Sequence, residues 1–154
     1  MNLKQHVDDA LMRIQFVLDT MVTHPNQVVS AYSGGKDSRA VLTLARKVLP
    51  KIIAVYNGHP GEDFGEETVL IVKEPKAVHV PQFLASVDIK VQLDGTRRDE
   101  DKDVVFGGKL IHRSAMPTSF TEKGVWGLAV MFPIWDWTEE TVLEFLRSEG
   151  VRIP

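Results

Sequence analysis

The chain has 154 residues, enough for one α/β domain with a sizeable core and too few for two ordinary domains. Its hydrophobic share of 44% and charged share of 25% are average for a soluble globular protein, and a net charge of −3 argues against a general nucleic-acid or anionic-membrane surface. Cysteine is absent, which excludes a disulfide, a thiolate zinc site, a cysteine-held iron–sulfur cluster and a cysteine nucleophile.

Leu3, Val7, Leu11, Ile14, Leu18 and Met21 recur every three or four residues, with Lys4, Asp8, Asp9 and Arg13 between them. This spacing predicts an amphipathic helix over 2–23, stopped by Pro25-Asn26. Residues 27–32 read as a buried strand, and a glycine-bearing loop follows. Ala40, Val41, Leu44, Ala45 and Val48 then mark a second helix, starting near Lys36 and ending before Pro50. Residues 52–56 form a second apolar strand. Strand, helix, strand in this order is a βαβ unit, so a parallel sheet with a right-handed crossover is expected.

Residues 57–65 hold three glycines and a proline and read as loop. A third strand is expected at 69–72, a short helix at 80–87 and a fourth strand at 89–93. The stretch 104–132, rich in glycine and β-formers, reads as a hairpin or an irregular excursion. Thr138 suits an N-cap, with Glu139 and Glu140 in the first turn and an apolar face of Val142, Leu143, Phe145 and Leu146, closed by Gly150. No apolar run approaches the ~20 residues of a membrane span. Met1 to His6 lacks the apolar segment of a signal peptide, so a cytoplasmic protein with a single unit over 1–154 is expected.

The most informative residues are Val28–Ser38, where an apolar strand runs into Ser33-Gly34-Gly35-Lys36-Asp37-Ser38. Gly34 and Gly35 carry no Cβ, so the backbone can take positive φ and present several N–H groups to phosphate oxygens. The helix beginning near Lys36 adds the positive end of its dipole. Ser33 and Ser38 can donate hydroxyl hydrogen bonds and Lys36 supplies a point charge. Asp37 is acceptor-only and suits Mg²⁺ rather than phosphate. An ordinary tight turn requires neither the paired serines nor the lysine. The spacing is not that of Walker A, which puts four residues between its first glycine and the Gly-Lys pair. The inventory is that of a nucleotide polyphosphate site.

This loop resembles the Ser-Gly-Gly-X-Asp-Ser signature of the PP-loop ATP pyrophosphatases, which cut ATP between the α and β phosphates. Its Lys-Asp-Ser ending and two later segments resemble one branch, the 3′-phosphoadenylyl-sulfate (PAPS) reductases and the small subunit of sulfate adenylyltransferase. One of these segments is Gly95-Thr96-Arg97-Arg98-Asp99-Glu100. In a parallel sheet it leaves the carboxyl end of the fourth strand, as the glycine loop leaves the first, so both can face one pocket where strand order reverses. Arg97 and Arg98 are planar forks suited to bidentate phosphate or sulfate contacts. The acidic run after them offers the alternative of a surface charge cluster. The other segment is Pro133-Ile134-Trp135-Asp136-Trp137-Thr138-Glu139, in which Trp137 beside a helix cap reads as a packing anchor.

The resemblance implies a three-layer, Rossmann-like parallel sheet flanked by helices, of the adenine-nucleotide α-hydrolase type. It further implies ATP, PAPS or adenylyl sulfate as ligand, with Mg²⁺ at Asp37, and Lys36, Asp37 and Arg97 as the catalytic set. Ser33, Gly34, Gly35, Lys36, Asp37, Ser38, Gly58, Gly95, Arg97 and Arg98 would hold the nucleotide, and an anion such as sulfate would accept the adenylyl group. Two departures stand out. Tyr56-Asn57-Gly58 replaces the usual Asp-Thr-Gly after the second strand, and the cysteine of the reductases is missing. A non-catalytic nucleotide-binding module, or a sulfur-transfer component whose thiol or C-terminal part comes from a partner, therefore stands beside the adenylyltransferase reading. A second copy of the chain is another partner left open. The acidic residues Glu62, Asp63, Glu66 and Glu67 read as a solvated loop. The histidines at 6, 24, 59, 79 and 112 form no close ligand pair.

Overall fold

The computed structural model describes residues 1–56, 69–71, 87–99, 103–106, 109–112, 121–123 and 129–154. The first helix, α1 (Leu3–Thr20), is set by a reciprocal cap: the Asn2 side chain accepts from the Gln5 N–H, and the Gln5 side chain accepts from the Asn2 N–H. That arrangement satisfies two of the donors a helix start leaves open. Ala10, Ile14 and Val17 form its buried stripe. A 3₁₀ turn at Pro25–Gln27 then leads into β1 (Val28–Ala31). The glycine loop follows, and then α2 (Lys36–Val48) and β2 (Ile53–Tyr56).

Strands β3 (Val69–Ile71), β4 (Val91–Leu93) and β8 (Ala129–Met131) complete a parallel set, with β7 (Thr121–Lys123) antiparallel on β8. The order is β3-β2-β1-β4-β8-β7. Strand β1 is therefore the reversal point, paired parallel with β2 on one side and β4 on the other. The last helix, α3 (Glu139–Ser148), starts at Thr138, whose side chain accepts from the Thr141 N–H at 3.2 Å, and ends at Gly150 with φ +67°. Helices α1, α2 and α3 share one core with β1, β4 and β8, built on Ile14, Val41, Leu44, Val91, Leu93, Trp137 and Phe145. The parallel sheet flanked by helices is the α/β class expected from the βαβ reading.

The described residues of the stretch 104–132 hold more regular structure than composition suggested. It contains the expected hairpin, β5 (Asp103–Phe106) against β6 (Lys109–His112), but also a fifth parallel strand, β8. Its residues lie within the apolar run 128–132, which has no alternation to set a strand apart from the irregular excursion that was also expected. What places β8 is pairing with β4 and burial of Ala129 and Met131. The loop expected at 57–65, with its glutamates and Gly58, lies outside the described residues, as does 80–86 of the expected short helix.

Candidate functional site

Parallel pairing of β1 with β4, in the register Ser30 opposite Leu93, brings the glycine loop and the Asp94–Arg98 segment to the same edge of the sheet. Gly34 takes φ +83°, the conformation for which glycine was expected. Gly35 is the N-cap of α2, and no side chain caps that helix. The loop is instead laced from within. Ser38 Oγ donates to the Gly35 carbonyl at 3.0 Å and accepts from the Ser33 N–H at 3.1 Å, and Ser33 Oγ accepts from the Gly35 N–H at 3.2 Å. The two serine hydroxyls stand 3.2 Å apart. The paired serines thus shape the cradle, which leaves the open end of the helix dipole facing outward.

Lys36 Nζ stands 3.5 Å from Glu139 Oε1 and 3.6 Å from Asp37 Oδ2, contacts long enough to be exchanged for a stronger anion. Asp37 is more firmly held, because its Oδ1 accepts from Arg97 Nε at 2.9 Å. Arg97 is only 4% exposed. Its Nη1 donates to Asp99 Oδ1 and, at 3.5 Å, to the Trp137 carbonyl. The guanidinium therefore joins three segments: the α2 start, the β4 exit and the approach to α3. Arg98 is exposed, and its N–H donates to the Trp135 carbonyl at 2.8 Å. Of the two arginines the sequence singled out, Arg98 is the exposed one, while Arg97 is engaged with Asp37 and Asp99.

Gly95 approaches α2 so closely that a Cβ there would lie 3.0 Å from the Asp37 carbonyl carbon and 3.1 Å from the Ser38 nitrogen. Trp137 is buried at 1% exposure, its ring edge-on to Phe145 at 5.5 Å and to His6 at 6.2 Å, which is the anchoring role expected of it. Asp136 beside it takes both arms of Arg13, at 2.7 and 3.1 Å, and Arg13 also donates to the Pro133 carbonyl at 2.9 Å. The Arg13 guanidinium holds the Asp136 carboxyl below the usual carboxylate range. Among the described residues no three histidine, aspartate or glutamate side chains come together as a metal-binding group.

One residue escaped the sequence reading altogether. Arg39, 4% exposed, donates from Nε to the Gly34 carbonyl at 2.7 Å and from Nη1 to the Arg152 carbonyl at 2.9 Å. Only its position, four residues past the second glycine and directly before the apolar run Ala40-Val41-Leu42, could have flagged it.

The architecture has clear counterparts among solved structures. The FMN adenylyltransferase of Candida glabrata superposes with a TM-score of 0.69 at 12% identity, over 98% of this chain and 57% of that one. The same enzyme in complex with ATP gives 0.67 at 16% identity, over 94% and 54%. A U34-tRNA thiolase from Methanococcus maripaludis gives 0.62 at 15% identity, over 98% and 66%. The chain shares the α/β fold of these proteins, a parallel sheet flanked by helices. A PAPS reductase from Candida auris in its phosphate complex, of the branch suggested by the sequence, gives 0.52 at 15% identity, over 97% and 88%. The chain spans a little over half the length of the adenylyltransferases it matches. No family model matches the sequence, and no curated protein matches it.

Proposed function

We propose that the chain binds ATP through the Ser33–Ser38 loop and cleaves it between the α and β phosphates, passing the adenylyl group to an oxyanion. The observation that carries this reading is the uncapped N-terminus of α2, opening from a glycine loop at the reversal point of a parallel sheet with Lys36 as its first residue. An acceptor oxygen would attack the α-phosphorus, the bond from that phosphorus to the bridging oxygen would break, and pyrophosphate would leave with the electron pair. Lys36 and the loop N–H groups face the charge that builds on the departing phosphates. Arg98 supplies a fork for the acceptor anion, sulfate or another small oxyacid. The adenylyltransferase fold and the ATP complex of the C. glabrata enzyme support the nucleotide class.

Mg²⁺ would accompany the phosphates, neutralising them while they supply most of its ligands. Asp37 offers it Oδ2, since Oδ1 accepts from Arg97. Gly58, Gly95 and Arg97 complete the proposed nucleotide-holding set, with Gly95 and Arg97 acting by shaping the walls rather than by direct contact. A second reading, a non-catalytic adenine-nucleotide-binding module, is favoured by that same engagement of Asp37, which leaves only one carboxylate oxygen for a metal. Incubation of the purified protein with ATP and Mg²⁺ decides between them: AMP or an adenylated acceptor with pyrophosphate supports catalysis, and ATP binding without turnover supports the module.

A further inference from the structure

Arg39 lies in the first turn of α2, where the helix dipole disfavours a cation. Its guanidinium is nevertheless buried, and among the described residues no carboxylate pairs with it. A buried arginine without a counter-ion costs stability unless its geometry is otherwise fixed. Among the described residues its two partners are main-chain carbonyls: Gly34, at the positive-φ corner of the phosphate loop, and Arg152, just past the end of α3.

We propose that Arg39 is a positioning residue that sets the loop for phosphate and couples it to the segment following α3. The peptide plane carries the argument. A planar trans peptide points its C=O and N–H in opposite directions, so the short bond on the Gly34 carbonyl turns the Gly35 N–H the other way, onto the Ser33 Oγ that accepts from it at 3.2 Å, and this fixes the path of the loop. The second arm, on the Arg152 carbonyl, makes that orientation depend on residues 151–153, of which Val151 and Ile153 pack against the core. With no carboxylate beside it among the described residues, this charge also raises the positive potential beneath the loop, so a polyphosphate is the ligand that offsets it. The ligand half of this inference rests on the proposed function; the positioning half does not.

Two measurements separate the halves. Arg39→Lys keeps the charge but cannot span both carbonyls, and Arg39→Met removes it. In ligand-free protein, amide hydrogen exchange at Gly34 and Gly35 should quicken about tenfold or more in Arg39→Lys, with the α1 amides unchanged. Calorimetric titration should show ATP affinity down about tenfold to a hundredfold, with adenosine within about twofold of wild type. Unchanged loop exchange in a folded Arg39→Lys overturns the positioning role, and so does an equal loss for ATP and adenosine. If the wild-type protein binds no ATP or inorganic tripolyphosphate, the ligand half falls together with the functional reading, and the exchange experiment still decides the positioning role. Should Arg39→Met fail to fold, Arg39→Lys carries both measurements.

Discussion

Gly95, at the exit of β4, sits directly against the backbone of Asp37, with only 3.0 Å between the place of a glycine-95 side-chain carbon and the Asp37 carbonyl carbon. Two loops 60 residues apart are thereby in main-chain contact, and the Arg97–Asp37 ion pair closes over the same junction. Because the opposing atoms are backbone, a Gly95→Ala substitution must displace the first turn of α2. A destabilisation of about 1–3 kcal/mol is expected, of the size usual for overpacking, with a parallel loss of ATP affinity. Urea denaturation and ATP titration of the alanine variant check this, and full stability with wild-type affinity would show that the junction is looser than described.

Arg97 is expected to act through architecture. Removing one member of a buried ionic cluster strands the others, here Asp37 and Asp99, at a cost of about 3 kcal/mol, near the lower end of the usual range because both carboxylates still reach water. Arg97→Lys keeps the charge but cannot serve both carboxylates and the Trp137 carbonyl in one plane, so it should also lower the unfolding midpoint. Thermal denaturation provides the readout. An Arg97→Lys protein as stable as wild type but deficient in nucleotide binding would return Arg97 to direct ligand contact.

The difference between what could and could not be foreseen lies in sequence separation. Helices α1 and α2, strands β1 and β2 and the glycine loop are encoded within windows of a dozen residues by periodicity and by glycine, so their positions were legible. The cap of α3 at Thr138 was local in the same way. Strand β8 was not, because it is set by its pairing with β4, far away in the sequence, and not by a local pattern. Nor was the engagement of Arg97, since nothing near it in sequence distinguishes Asp37 as its partner from the adjacent acidic run. Arg39 shows the same limit. A polar residue in a helix says nothing of whether it points at solvent or at a loop carbonyl until the helix is docked.

Lys36→Ala should weaken ATP binding far more than adenosine binding. Among the described residues its ammonium group has only the long contacts to Asp37 and Glu139, which a phosphate can replace. A hydrogen bond to a charged group contributes ~1.5–3 kcal/mol, or roughly tenfold to a hundredfold in affinity. Calorimetric titration with both ligands tests it, and an equal loss for the two would place the lysine away from the phosphates.

Asp136 gives the fold an acid-sensitive clasp between α1 and the approach to α3. Its carboxyl is held below the ordinary value chiefly by the hydrogen bonds from Arg13, so the folded state binds the proton more weakly than the unfolded chain. The stabilisation is therefore complete above the unfolded carboxylate value of ~3.9 and disappears as pH falls through the lower folded value. Asp136→Asn should cost about 1–2 kcal/mol at neutral pH, and the gap from wild type should close on acidification. Urea titrations from about pH 7 down to about pH 2 measure it. A gap that is constant with pH would mean that the clasp is steric.

The bond that breaks is the most discriminating property of the proposed enzyme. A loop with Walker A spacing wraps the β and γ phosphates, whereas Ser33–Ser38 presents one short glycine pair followed at once by the helix start and Lys36. With the cradle and the lysine set to receive a departing pyrophosphate, turnover of ATP should release pyrophosphate and leave AMP or an adenylated acceptor. Because the sequence contains no cysteine, thiol alkylation of the protein should leave that turnover unchanged. ATP labelled separately at the α and γ positions provides the measurement. Label from the γ position should appear in pyrophosphate and label from the α position in AMP or its adduct. Free orthophosphate from the γ position, with ADP remaining, would sink the adenylyltransferase reading outright, while binding without release of either label would leave the chain a nucleotide-binding module.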